Sequence, residues 1–148
     1  MAPNTSPSAT GGSAGRWNAA LLLFRLAGSL PFLYHGSGIL FGAFGGPGPE
    51  KFAAFMHAPA IIGYLVGLAQ FAGGLAILSG ALIRVGALCI TIVMLGAIFL
   101  VHLPHGYDIG HMGMEYALTQ LFLALAFLFT GAGDFSLRPL LPSFLQRL

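Results

Sequence analysis

The sequence predicts an all-α fold: an integral membrane four-helix bundle with a short interfacial helix between spans one and two. Two observations favour this fold class. Hydrophobic residues make up 57% of the 148 positions and charged residues only 7%, whereas an average soluble domain has about 25% charged residues. In addition, four separate apolar stretches each approach the ~20 residues that a helix needs to cross the hydrocarbon core of a bilayer.

The chain divides into three parts on this reading. Residues 1–16 are small and polar, which predicts a disordered N-terminal tail. Residues 17–137 form the membrane domain, and residues 138–148 form a C-terminal tail. A helix suits each span because it satisfies its own backbone hydrogen bonds, which lipid cannot do. The four predicted spans are residues 17–41, 60–80, 82–103 and 112–131.

The basic residues predict the orientation of these spans. Four arginines at the span ends or in the tails fall on one side of a four-span protein, and only Lys51 falls on the other side. The positive-inside rule then places both termini and both tails in the cytoplasm. The four arginines are Arg16, Arg84, Arg138 and Arg147.

The loop between spans one and two carries a helical pattern of its own. Glycines and prolines at residues 45–49 end span one, and Phe52, Phe55 and Met56 follow at i, i+3, i+4 spacing. This apolar stripe predicts a short helix at residues 50–57 that lies in the outer membrane interface. The alternative is an ordinary loop whose aromatic side chains touch lipid head groups. That the helix covers a site is a hypothesis.

Two basic side chains fall within span one. Arg25 lies nine residues beyond Arg16, about 13 Å along a helix, where a charge costs at least ~2–3 kcal/mol. It either faces the bundle to hold a ligand, or extends back to the cytoplasmic head groups. His35 lies about 80° around the helix from Arg25, so both can point into the interior. The alternative for His35 is a hydrogen bond between helices.

Span two carries one stripe of small residues that includes an amide. Gly63, Gly67, Gln70 and Gly74 are spaced i, i+4, i+7, i+11 and therefore share one helix face. Glycines on such a face allow a neighbouring helix to approach closely. Gln70 is therefore predicted to face a partner helix, where it either links the two helices or contributes to a binding site.

Polar residues concentrate between spans three and four, where His102, His105, Asp108, His111 and Glu115 lie within fourteen positions. The predicted topology makes this stretch the outer mouth of the bundle. His102 and Glu115 are the candidate catalytic residues, because a His–carboxylate pair can move protons or hydrogen-bond a quinone head. His105 and His111 are interpreted as solvated loop residues. Imidazole and carboxylate suit transition metals, but this spacing matches no metal motif, so no metal site is predicted.

Composition also limits the chemistry. A formal charge of +2 without a basic run argues against a nucleic-acid partner. Cys89 is the only cysteine, so neither an internal disulfide nor a C-x-x-C pair can form. The sequence has no haem, flavin or iron–sulfur motif. Any redox role therefore requires a bound cofactor or a partner.

Several motifs together give the chain a family resemblance. "FRLAGSLPFLYHG" lies in span one, "LAQFAGGLAILSGALIRVGAL" joins spans two and three, "MLGAIFLVHLPHG" ends span three, and "MEYAL" opens span four. In order and spacing these pieces resemble the DoxX family of small bacterial membrane proteins, over about residues 21–137. The resemblance implies a multi-pass protein of the bacterial cytoplasmic (inner) membrane, linked to oxidoreductase systems such as a thiosulfate:quinone oxidoreductase.

The resemblance also implies which positions matter. Arg25, His35, His102 and Glu115 correspond to recurrent polar residues of the family. Gln70 stands where the family usually has a glutamate. A neutral amide cannot accept a proton as a carboxylate does, so the role of this position is altered or purely structural here.

The leading hypothesis is therefore a quinone-linked oxidoreductase subunit, with Arg25, His35 and Gln70 as cofactor-binding candidates and quinone as the possible cofactor. The expected partners are the lipid bilayer and other membrane subunits. The alternative is a non-catalytic accessory or scaffold subunit packed against a larger respiratory or photosynthetic complex. A transporter is a third class, favoured only by a faint internal repeat. Whether the chain is itself an enzyme stays open.

Overall fold

The computed structural model describes residues 10–148, and this part of the chain is helical without any β-strand. Three apolar segments in it are long enough to cross a membrane: Gly12–Phe41, Ala60–Ser79 and Ile83–His105. The predicted all-helical membrane protein is confirmed at this level. The helices are α1 (Thr10–Phe41), α2 (Gly48–Phe55), α3 (Ala60–Ser79), α4 (Ile83–Ala97) and α5 (Glu115–Thr130).

The predicted disordered tail needs a correction where the structure describes it. α1 begins at Thr10, so residues 10–16 continue the first helix. The physical reason is that extending an existing helix avoids the cost of nucleation, so small residues ahead of an apolar helix can join it. Residues 1–9 of the predicted tail lie outside the described residues. At the other terminus, the Arg84 amide donates to the Leu148 carbonyl at 2.6 Å, so the C-terminal segment folds back onto the start of α4.

α1 and α3 pack antiparallel through glycines. A Cβ added to Gly36 of α1 would lie 2.5 Å from the Phe71 amide nitrogen of α3. A Cβ added to Gly67 of α3 would lie 3.1 Å from the Leu40 nitrogen of α1. A Cβ added to Gly74 would lie 3.2 Å from a main-chain oxygen of α1. The predicted contact between the glycine stripe of span two and a neighbouring helix is confirmed, and α1 is that neighbour.

The core lies between α3, α4 and α5. α3 and α4 approach closely at Gly73 and Gly86, where a Cβ on Gly86 would lie 2.8 Å from the Gly73 oxygen. Apolar side chains fill the remaining space between the three helices. Those with the least exposure are Ile77, Ile83, Ala87, Ile90, Ala124 and Phe127.

The outer surface of the helices is strongly apolar. Many large hydrophobic side chains, distributed over all four long helices, are more than half exposed. Such a surface is compatible with hydrocarbon and not with water. It is therefore the surface that contacts the lipid bilayer. Examples are Leu23, Leu65, Leu88, Phe122 and Phe129.

The connection from α4 to α5 is compact. α4 continues into a π-helical turn, Ile98–His102, and then a 3₁₀ turn, Leu103–His105. The following loop is tied by main-chain hydrogen bonds from Gly113 to Asp108 at 2.8 Å and from Glu115 to Tyr107 at 3.0 Å. The predicted outer mouth is therefore an ordered loop.

Candidate functional site

The arginine end of the molecule is defined here as the end that holds the start of α1, the end of α3 and the segment after α5. Arg25 is 2% exposed and lies at its centre. Its guanidinium donates to four main-chain carbonyls. Nε reaches the Ile77 oxygen at 2.8 Å and Nη1 reaches the Ala132 oxygen at 3.2 Å. The Leu78 and Phe135 carbonyls accept the other two bonds.

These partners explain why a charged side chain can be buried there. The last carbonyls of α3 have no donor within the helix and carry the negative end of its dipole. The rigid guanidinium fork supplies several N–H groups to them at once. No carboxylate pairs with Arg25 within residues 10–148. Arg25 thus links α1 to the end of α3 and to the segment after α5. It does not line the cavity at the opposite end of the molecule.

The cavity end of the molecule, defined as the opposite end, contains a cavity of about 540 Å³ between the helices. Three of the predicted site residues line it together: His35 from α1, Gln70 from α3 and His102 from the turn after α4. Tyr116 from α5 adds a fourth polar side chain. The rest of the wall is apolar, and it includes Phe32, Ile39, Val66, Val93, Met94 and Ala117.

Gln70 is buried without a partner. Its side chain is only 7% exposed and lines the cavity, yet its amide hydrogen-bonds to no residue in the described range 10–148. Leaving a buried polar group unpaired costs about 1–3 kcal/mol. The amide therefore leaves both a donor and an acceptor unpaired at the cavity wall.

His102 has a fixed orientation. Its Nδ1 lies 2.7 Å from the Met112 carbonyl oxygen. Because a carbonyl only accepts, Nδ1 carries the hydrogen. The neutral ring then presents Nε2 as a hydrogen-bond acceptor. No residue between 10 and 148 pairs with that nitrogen.

His35 lies at the mouth of the cavity. It is exposed, and its ring meets the edge of Tyr34 with centroids 5.3 Å apart. It makes no hydrogen bond within the described chain. His35 also lines a second cavity of about 320 Å³, next to the loop that contains Phe44.

Sequence reasoning missed three polar residues in the helices around the cavity: Tyr116, Gln120 and Thr91. Tyr116 lines the cavity, and Gln120 follows it one turn along α5. Gln120 Oε1 and Thr91 Oγ1 are both buried, and within residues 10–148 neither atom has a hydrogen-bond partner. The i, i+4 spacing of Tyr116 and Gln120 in an otherwise apolar helix was the available signal.

Glu115, the partner of His102 in the predicted proton-transfer pair, does not lie beside it at the cavity. It is the first residue of α5, where the helix dipole favours a carboxylate. Its side chain does not line the cavity. Within residues 10–148 it forms no ion pair with His102, whose Nδ1 binds the Met112 carbonyl instead. The structure therefore brings His102, but not Glu115, to the cavity.

The remaining loop histidines bond locally. His105 Nδ1 lies 2.9 Å from the Val101 oxygen, and His111 Nδ1 lies 2.9 Å from Asp108 Oδ2. In the described part of the chain, no three His, Cys, Asp or Glu side chains are placed to hold one metal ion. The polar loop is thus built from short-range contacts.

α2 forms one wall of the cavity. Phe52, Phe55 and Met56, the apolar stripe that the sequence singled out, all line it. The Tyr64 hydroxyl of α3 donates to the Glu50 carboxylate at 2.5 Å and so fastens α2 to α3. This hydrogen bond lowers the pKa of Glu50. The segment that the sequence suggested as the cover of a site therefore lies against a cavity.

Comparison with known proteins identifies the family. The DoxX family model matches residues 20–103, which is more than half of the chain. The match includes Arg25, His35, Gln70 and His102 and ends before α5. No curated protein and no solved structure matches the chain. Because this match covers more than half of the chain, the chain belongs to the DoxX family.

Proposed function

We propose that the protein is a membrane subunit of a quinone-linked oxidoreductase system and that its cavity binds a quinone head group. The observation that carries the proposal is the cavity itself. Gln70 and His102 present unpaired hydrogen-bonding groups inside walls that are otherwise apolar. Small-molecule sites combine apolar walls with a few oriented polar groups in this way.

The lining residues fit a quinone. A quinone head is a flat ring with polar oxygens on an apolar body, and it carries two electrons and two protons when reduced. Gln70 and Tyr116 can each donate to or accept from an oxygen of the head. His102 Nε2, which carries no hydrogen in the neutral ring, can accept a hydrogen bond or a proton from the head group. The apolar side chains exclude water around the ring.

Access to the cavity favours a lipophilic ligand. Phe55, Ile92 and Leu100 line the cavity and are each more than 60% exposed. The mouth therefore opens on the apolar surface that faces lipid. A ligand dissolved in the bilayer enters without crossing water.

The topology proposed for this function has four spans. α5 has 16 residues, about 24 Å of helix, and we take it with its flanking turns as the fourth span. Both termini then face the cytoplasm of a bacterial inner membrane, and α2 lies in the outer interface. The antiparallel order of the helices and the contact of Arg84 with the C-terminal segment support this arrangement.

Electrons must come from a partner in this proposal. The sequence carries one cysteine and no motif for a redox centre. A partner subunit would therefore deliver electrons to the bound head group. Glu115 and Arg25 act outside the cavity, Glu115 at the outer start of α5 and Arg25 in holding the helices together.

The test uses a glycine that faces the cavity. Gly96 lines it, and a Cβ added there meets no atom within 4 Å. Gly96→Leu should fill the space without disturbing the helices. After gentle extraction, mass spectrometry should find quinone at about one per chain in the wild type and a loss of at least ~10-fold in the variant, the effect of losing ~1.4 kcal/mol of binding.

The control is Leu88→Phe, a change of similar size on the exposed face of α4, which should retain quinone. A wild type without quinone, or a Gly96→Leu variant that retains it, would reject the proposal. A protein partner in fixed stoichiometry without quinone would instead support an accessory or scaffold subunit.

A further inference from the structure

We propose that the cavity selects the reduced, hydroxyl-bearing form of its aromatic head group, with His102 as the residue that determines this specificity. The inference rests on the proposed function, because it concerns which redox form the same cavity prefers. It follows from the one hydrogen-bonding group in the cavity whose direction is fixed.

The direction is fixed by the main chain. The Met112 carbonyl accepts from Nδ1 of His102 at 2.7 Å and leaves Nε2 as the free acceptor. A bond from one ring nitrogen to a carbonyl commonly sets the role of the other nitrogen. The neutral imidazole therefore offers the cavity a lone pair and no N–H.

The Met112 carbonyl is itself held in place. Met112 adopts a left-handed conformation with φ of 64°. The neighbouring Gly113 amide donates to the Asp108 carbonyl at 2.8 Å. A Cβ on Gly113 would lie only 2.4 Å from the Tyr107 carbonyl carbon, so the loop closes tightly there. The polar loop between α4 and α5 thus has a definite task, which is to orient His102.

The local helix geometry contributes to the same result. His102 ends the π-helical turn that follows α4. Such turns are rare, and they occur often at functional sites because they change the direction of a side chain relative to the regular helix. Here the turn ends at the one histidine that both lines the cavity and bonds to the loop.

The fixed acceptor distinguishes the two redox forms. A phenolic O–H of the reduced head group donates to Nε2. A carbonyl of the oxidised form has no hydrogen, so two acceptors would face each other and the bond would be lost. Gln70 and Tyr116 do not discriminate, because an amide and a hydroxyl can each donate or accept. His35 has no bond that fixes its ring, so it also adapts to either form.

The experiment compares the two forms of one probe. The full-length protein in nanodiscs is titrated anaerobically with decylubiquinol and with decylubiquinone at pH 8. Loss of one hydrogen bond, about 1–1.5 kcal/mol, corresponds to roughly 10-fold in Kd. We expect the reduced probe to bind about 10-fold more tightly.

Two variants assign the preference to His102. His102→Gln replaces the fixed acceptor with an amide that can donate or accept, so the ratio of the two Kd values should fall to about one while both probes still bind. The matched control is His105→Ala. His105 is exposed, does not line the cavity and bonds to a carbonyl in the same manner, so its removal should leave the ratio unchanged.

Each outcome has a distinct meaning. Equal affinity of the wild type for both forms, tighter binding of the oxidised form, or an unchanged ratio in His102→Gln would overturn the redox selectivity and leave the proposed quinone site intact. Failure of both probes to bind the wild type would reject the proposed function and this inference together.

Discussion

The arginine end and the cavity end of the molecule both hold polar side chains among apolar helices, but they differ in how these side chains are hydrogen-bonded. At the arginine end, the buried polar groups are paired within the chain, as the four carbonyls around Arg25 illustrate. At the cavity end, Gln70 and His35 have no hydrogen-bond partner within residues 10–148. Unpaired polar groups inside a membrane protein are costly and mark functional sites. The comparison shows that the first end pairs its buried polar groups internally, whereas the second leaves polar groups available, as the proposed binding site requires.

Other contacts at the arginine end strengthen the contrast. Arg84 donates from Nε to the Leu128 carbonyl at 3.2 Å and from Nη1 to the Arg147 carbonyl at 2.9 Å. Asn18 and Asp134 exchange two hydrogen bonds, at 2.6 Å and 3.1 Å. Together these contacts join the start of α1 and α4 to the segment after α5 and the C-terminal residues.

Replacing Arg25 should have the largest effect on stability. Arg25→Met keeps an apolar stem but leaves the Leu78, Ala132 and Phe135 carbonyls without a donor, whereas the Ile77 carbonyl still accepts from the Gly80 amide. Each unpaired buried group costs about 1–3 kcal/mol, so we expect the free energy of unfolding to fall by at least ~3 kcal/mol. Denaturant unfolding of the protein in detergent micelles, followed by circular dichroism, measures this change.

The control for that variant is Arg16→Met, an exposed arginine of the same helix. An exposed substitution should change the free energy of unfolding by no more than ~0.5 kcal/mol. If Arg25→Met also lost less than about 1 kcal/mol, the guanidinium would not be what holds this end together.

A glycine substitution at the arginine end should have the next largest effect. Gly80 ends α3 with φ of 69°, and an added Cβ would lie 2.6 Å from Ser136 Cβ and 2.9 Å from Arg25 Cζ. Gly80→Ala combines left-handed strain of about 1–2 kcal/mol with overpacking of about 1–3 kcal/mol. We expect a loss of about 2–4 kcal/mol in the same unfolding measurement. Wild-type stability would show that the segment after α5 can move away from α3 at little cost.

A glycine substitution at the cavity end should have the opposite sign. Gly96→Leu adds its side chain to open space, and leucine is the better helix former by up to about 1 kcal/mol. The free energy of unfolding should therefore stay the same or rise by up to that amount, while quinone binding is lost. A large destabilisation would indicate that the cavity is already filled by packing.

The smallest effect is expected for the bond that fastens α2. Tyr64 lowers the pKa of Glu50 by hydrogen bonding. A lowered folded-state pKa stabilises the protein above the ordinary pKa of glutamate, and this contribution is lost as the pH falls through the lowered value. Between pH 7 and pH 3, Tyr64→Phe should therefore lose slightly less stability than the wild type, as measured by unfolding at each pH.

Tyr34→Phe is the matched control for that variant, because Tyr34 stacks on Phe44 and makes no side-chain hydrogen bond within residues 10–148. Its pH dependence should equal that of the wild type. Identical pH dependence in all three proteins would mean that the Glu50–Tyr64 bond does not couple α2 to the fold.

The sequence alone was enough to predict several features of the protein. Apolar composition and span length predicted an all-helical membrane protein, and the spacing of Gly67 and Gly74 predicted the helix face that α1 contacts. Motif order predicted the DoxX family. These features depend on composition and on the 3.6-residue period of a helix, which are properties of short sequence segments.

Only the tertiary structure decided which polar residues share a site. His35, Gln70 and His102 converge because antiparallel packing brings residues from three helices to one level. Arg25 is paired at the other end by carbonyls that carry no sequence signature, because every residue has one. Glu115 lies next to Tyr116 in sequence, yet only Tyr116 lines the cavity. The direction of a side chain within a bundle depends on helix phase and on neighbouring helices, and these are fixed only when the whole chain packs.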